Sequence, residues 1–178
     1  MIKTSSKFLM ICALVLSSIL GTNEAIAPVH AAEWTSPYIS FVVKSNPKVS
    51  DKAAREIVVA AYKWASEFNL DVGLLLAVAK VESNFYPHAI SSSGAYGLMQ
   101  VIPLWHKDKI IKARDELGNP EIFNVNTNMY LGAMVLRDCI KKTSKTSKAL
   151  LCYSGKTPGY DEKVLAQYYK IKALKILT

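Results

Sequence analysis

The run Leu74-Leu75-Leu76-Ala77-Val78-Ala79 is apolar on every face a helix could present. Asp71 supplies an N-cap just before it, and Pro87 forbids continuation past about Phe85. A helix from Val72 to about Phe85 without a polar face has to be wrapped by other elements. The flanking sequence provides them. Ser50 opens a helix to about Asn69, with Ala54, Ile57, Val58, Ala61, Ala65 and Phe68 on one stripe. Short helical pieces are expected at 97–102 and 104–116, separated by Pro103. Asn126 opens a helix to about Lys142, with Met129, Ala133, Leu136 and Ile140 in register. Two more follow, at 147–154, ended by Gly155, and at about 161–176. Only residues 38–43 alternate with a period of two, and the Ser- and Gly-rich stretch 88–97 reads as loop. The expectation is an all-α domain of six to seven helices around a buried central helix, with no internal repeat.

With 178 residues, 51% of them hydrophobic and 20% charged, the chain can bury one domain-sized core and is not a disordered or low-complexity protein. Its front reads separately. Lys3 and Lys7 precede an apolar stretch of 13 residues, Phe8 to Leu20, which is shorter than the roughly 20 residues a membrane span needs. Residues 1–31 therefore read as a signal peptide, with Val29-His30-Ala31 a better cleavage site than Ala25-Ile26-Ala27, which Pro28 follows. A retained anchor or a core helix is the alternative. Residues 32–49 then form an N-terminal extension, and 50–178 the folded domain. Export places the mature chain in the periplasm or outside the cell. It also leaves Cys139 and Cys152 as an even pair in an oxidising compartment, either bridged or as two buried thiols.

The formal net charge is +8, and residues 137–178 hold ten Lys/Arg against three Asp/Glu. So lopsided an end suits an anionic partner such as a wall polymer or a membrane surface, or else it is a set of solvated helix faces. Nucleic acid fits poorly with export, and no binding motif is recognisable. His88 and His106 are the only histidines after cleavage, too few with two cysteines to suggest a metal site.

Glu82 is the residue with chemical promise. It continues the stripe of Leu75, Val78 and Ala79, so its carboxyl should be partly desolvated, and it sits at the negative end of the helix dipole. Both effects favour the protonated form that a general acid needs. The bland alternative is a snorkelling or salt-bridged Glu at a helix end.

Its context is Val81-Glu82-Ser83-Asn84-Phe85-Tyr86-Pro87-His88-Ala89, running into Ser91-Ser92-Ser93-Gly94-Ala95-Tyr96-Gly97-Leu98-Met99-Gln100. This resembles the lytic transglycosylase SLT-domain family: a Glu-Ser pair ending the central helix, an aromatic and a Pro soon after, then Gly-Leu-Met-Gln about fifteen residues beyond the Glu. Asn128-Met129-Tyr130-Leu131-Gly132-Ala133, Leu151-Cys152-Tyr153-Ser154-Gly155 and Tyr160…Lys163-Val164-Leu165 extend the resemblance over about residues 65–167. It departs at Ser154, where the family commonly has Asn.

The resemblance implies a lysozyme-like helical fold, with residues 50–178 as the catalytic domain acting on peptidoglycan glycan strands. Glu82 is then the catalytic acid and base, and Tyr153 orients it. Ser83 and Gln100 hold saccharide or the Glu loop, and backbone groups of Gly97, Leu98 and Met99 line the cleft, unless these are turn and core residues only. Asp108, Asp115, Glu116 and Glu121 read as exposed, so no second acid is expected, and no cofactor is implied. A small exported monomer of this kind suits wall opening for a secretion or conjugation machine. A lysozyme-type hydrolase and a catalytically silent wall-binding protein are the competing readings. Trp64, Trp105 and the tyrosines at helical spacing read as core before they read as a sugar platform.

Overall fold

Asp71 caps the all-apolar segment as its sequence requires: the Leu74 backbone N–H donates to Asp71 Oδ1 at 3.2 Å. The computed structural model describes residues 37–118 and 120–174. The leader assigned to residues 1–31 lies outside them. Among the described residues the chain forms α1 over 37–45, α2 (Asp51–Phe68), α3 (Val72–Ser83), α4 (Lys107–Leu117), α5 (Val125–Lys142), α6 (Thr146–Tyr153) and α7 (Tyr160–Leu174). Two isolated β-bridges, Ile90 with Tyr96 and Tyr96 with Val101, are the extended pairings among them. None of these helices is long and apolar enough to cross a membrane.

Helix α3 is buried from Gly73 through Ala79 and packs on α2 and α7. It ends at Ser83, earlier than Pro87 alone would dictate. Asn84 adopts a left-handed φ of 51° and donates its N–H to Lys80 O, and Asn tolerates that conformation better than most residues. A second helix is as deeply placed. Helix α5 is buried without interruption from Thr127 to Leu136 and contacts α2, α4 and α6. Its sequence shows one apolar stripe, but Gly132 opens a further face: a Cβ there would lie 2.5 Å from Met99 Cβ.

Two expectations are corrected. Residues 38–43 are helical. Tyr38, Ile39 and Val42 are buried at positions one turn apart, and this short pattern is shared by the two periodicities. Those residues and Val49 join the same hydrophobic core as α2 and α3. Residues 97–102 are turn and bridge, not helix. Tyr96 and Val101 exchange both backbone hydrogen bonds, at 2.9 and 3.1 Å, around a turn with positive φ at Gly97 and Gln100.

Candidate active site

Glu82 stands in the last turn of α3 and lines a cleft of about 350 Å³, within the usual size of a ligand site. Its lining includes Val81, Gln100, Val101, Ile102, Trp105 and His106 together with Tyr153, Ser154, Thr157, Tyr160 and Lys163. Glu82 is the single carboxylate among the lining residues. Asp108, Asp115, Glu116 and Glu121 are all exposed and none of them lines the cleft.

Burial pushes the Glu82 carboxyl up to about 7, and a hydrogen bond from the Tyr160 hydroxyl to Oε1, at 2.5 Å, pulls the other way without cancelling it. Glu82 forms no ion pair among the described residues. Lys80, in the same turn, reaches instead to Ser45 O at 3.3 Å and to Asn84 Oδ1. A half-buried carboxyl without a cation partner is poised to give and take a proton near neutral pH.

Tyrosine partnership differs from the expectation. Tyr160, at the start of α7, donates to Glu82, whereas Tyr153 donates to Met99 O at 2.7 Å. The Tyr153 ring lies against that of Tyr160, with centroids 6.4 Å apart and planes 17° from parallel. Burial, reinforced by the nearby Glu82 carboxylate, holds both phenols well above their ordinary value, so they remain donors. Tyr160 was present in the sequence as part of a motif, but nothing local marked it as the partner of Glu82.

The Gly-Leu-Met-Gln turn is a structural hub. Ser83 Oγ donates to Leu98 O at 2.7 Å, tying the end of α3 to it. Met99 N–H donates to Asn128 Oδ1 at 2.7 Å, tying it to α5, and Asn128 Nδ2 donates to Tyr96 O and Ile122 O. Gly97 is required here: with φ at 76°, an added Cβ would also sit 2.4 Å from Asn128 Nδ2. Of the two roles expected for Ser83, saccharide or the Glu loop, its bond to Leu98 O is the second; Ser83 is not among the residues lining the cleft, nor are Gly97, Leu98 and Met99, whose backbone was expected there and which are buried. Gln100 does line it, while its amide holds Ala89 O and Gly97 O at 3.2 and 3.0 Å. Ser154 also faces the cleft, and its hydroxyl serves the local turn, donating to Leu151 O and accepting from Thr157 N.

Cys139 and Cys152 are joined by a disulfide, with Cα atoms 5.7 Å apart, which clamps α6 and therefore Tyr153 to α5. Trp64 is core, as expected, but Trp105 is exposed in the cleft wall. No three His, Cys, Asp or Glu side chains converge as a metal site among the described residues.

The Transglycosylase SLT domain family matches over residues 59–173, and the chain belongs to that family. It is similar to membrane-bound lytic murein transglycosylase C of Yersinia pestis (strain Pestoides F) and of Yersinia pseudotuberculosis serotype O:1b (strain IP 31758). Each is 32% identical over 102 residues, covering 55% of this chain and 28% of the relative. The chain thus matches little more than a quarter of the length of those relatives.

Proposed function

We propose that this member of the Transglycosylase SLT domain family is a peptidoglycan lytic transglycosylase. It cleaves the β-1,4 bond between N-acetylmuramic acid and N-acetylglucosamine and leaves a 1,6-anhydro end in place of a hydrolysed one. The observation that supports this best is a lone cleft carboxyl, Glu82, raised to about 7 by burial.

Most glycosidases divide the work between two carboxylates. With one, the same group has to act twice. Protonated Glu82 gives its proton to the glycosidic oxygen as the bond to the anomeric carbon breaks, and the substrate's own N-acetyl carbonyl shields the developing cation. The carboxylate left behind then takes the proton of the sugar's 6-hydroxyl as that oxygen closes onto the anomeric carbon. Protons balance, no water is consumed, and Glu82 ends protonated again. A value near 7 suits both half-steps, since neither proton transfer is steeply uphill. The Tyr160 hydroxyl stabilises the ionised form between them and fixes the carboxyl's orientation. Export to the compartment that holds the wall belongs to the same proposal.

Digesting purified murein with the protein and weighing the products tests it. Anhydro-ended fragments, one water lighter than reducing ends, are expected. Reducing ends alone would make the protein a hydrolase, and an undigested wall would leave no enzyme at all.

A further inference from the structure

Trp105 is 67% exposed, although an indole is usually among the more deeply covered side chains. Trp64 shows the ordinary arrangement: it is buried, its Nε1 donates to Asn126, and its ring meets Phe68 and Tyr130. Trp105 has no ring partner and no acceptor for its indole N–H among the described residues. Its backbone, by contrast, is held. Trp105 N–H donates to Ile102 O at 3.1 Å and His106 N–H to Pro103 O at 3.2 Å, in a turn whose Pro103 is fixed in φ, and α4 begins two residues on. The ring is therefore presented by a rigid turn, on the wall of the cleft that contains Glu82.

We propose that Trp105 is a saccharide platform: the flat C–H face of a pyranose ring lies on the indole, and the sugar's hydroxyl and acetamido groups reach the polar rim beside it. This rests on the glycan-cleaving reading of the cleft and adds the residue that recognises the ring. The surroundings fit a ligand that is apolar on its faces and polar at its edges. Val101 and Ile102 line the same cleft as the indole, and Ser91, Ser93 and Gln100 add hydroxyl and amide groups to that lining. His106, adjacent in sequence and also in the cleft, is held below the ordinary imidazole value by burial and by Lys109. A neutral imidazole offers one donor and one acceptor, as an uncharged sugar requires. A broad indole on a held backbone offers a large contact area with only two side-chain torsions to order on binding.

The test uses the Glu82→Gln protein, so that ligand is not consumed, titrated with N-acetylglucosamine tetramer and with purified murein glycan strands. Binding is followed by calorimetry and by tryptophan emission. Emission should shift on binding. Trp105→Ala in that background should weaken binding about tenfold, whereas Trp105→Phe should stay within about threefold and lose the emission shift. Equal affinity with and without the Trp105 ring overturns the platform, even if the otherwise wild-type protein digests murein normally. Conversely, ring-dependent binding by a protein that never lyses murein would sustain the platform and remove the proposed reaction.

Discussion

Replacing Glu82 by Gln separates a desolvated acid from an ordinary surface carboxylate, because the two differ in stability as well as in activity. The carboxyl's rise from 4.5 to about 7 corresponds to about 3 kcal/mol, at about 1.4 kcal/mol per tenfold change in proton affinity. Below pH 4.5 both the folded and the unfolded chain hold this proton, and the native protein keeps its full stability. Between 4.5 and 7 the unfolded chain releases the proton and the folded one does not, so stability falls as pH rises. Above 7 both are ionised and the loss is complete. Glu82→Gln carries no such charge. It should match the wild type near pH 4 and exceed it at pH 8 by up to about 3 kcal/mol, roughly 10 °C in melting temperature for a domain of this size. Over the same comparison murein lysis should drop by about 10²–10⁴-fold, the usual contribution of a positioned general acid. Thermal melts at pH 4, 6 and 8, run beside a turbidity assay on wall suspensions, read both. If the two proteins melt alike at pH 8, Glu82 is solvated with ordinary acidity, and the argument for a protonated acid in the cleft fails.

Tyr160→Phe removes the hydrogen bond that favours ionised Glu82, so the alkaline limb of the kcat/KM profile should move to higher pH, as a rate–pH series would show. Asn128→Ala leaves Met99 N–H, Tyr96 O and Ile122 O without their buried partner. At about 1–3 kcal/mol for each unsatisfied group, urea unfolding should report a loss of about 3 kcal/mol or more, with lysis falling as the turn beside Glu82 loosens. Changing both Cys139 and Cys152 to Ser should cost about 3 kcal/mol for a loop closed across 13 positions, read from the denaturation midpoint, and leave lysis measurable at low temperature.

Much of the fold is legible in the sequence because its signals are local. Capping by Ser50 and Asp71 and the apolar run of Leu74 to Ala79 each act within one or two turns, and the structure follows them to within a residue or two. Residues 38–43 and 97–102 depart from their sequence patterns for a local reason as well. A six-residue apolar pattern suits either periodicity, and a glycine with positive φ followed by Gln100 at 47° makes a turn out of residues that favour a helix elsewhere. The Gly-Leu-Met-Gln stretch is visible as a motif, but its work as a hub between α3, α5 and α6 depends on Ser83, Asn128 and Tyr153 arriving from three directions.

Sequence by itself therefore determined the capped helices α2 and α3, the central place of α3, and the position of Glu82 at the end of an apolar stripe where burial would hold its proton more tightly. Tertiary structure alone decided that Tyr160, 78 residues away, reaches that carboxyl while Tyr153 turns to Met99. It also decided that Trp64 is core and Trp105 is not. The division has one physical cause. Hydrophobic periodicity reports how an element faces its surroundings, whereas the partner of a given atom is set by packing between elements distant in sequence, where a shift of a single ångström makes or breaks a hydrogen bond.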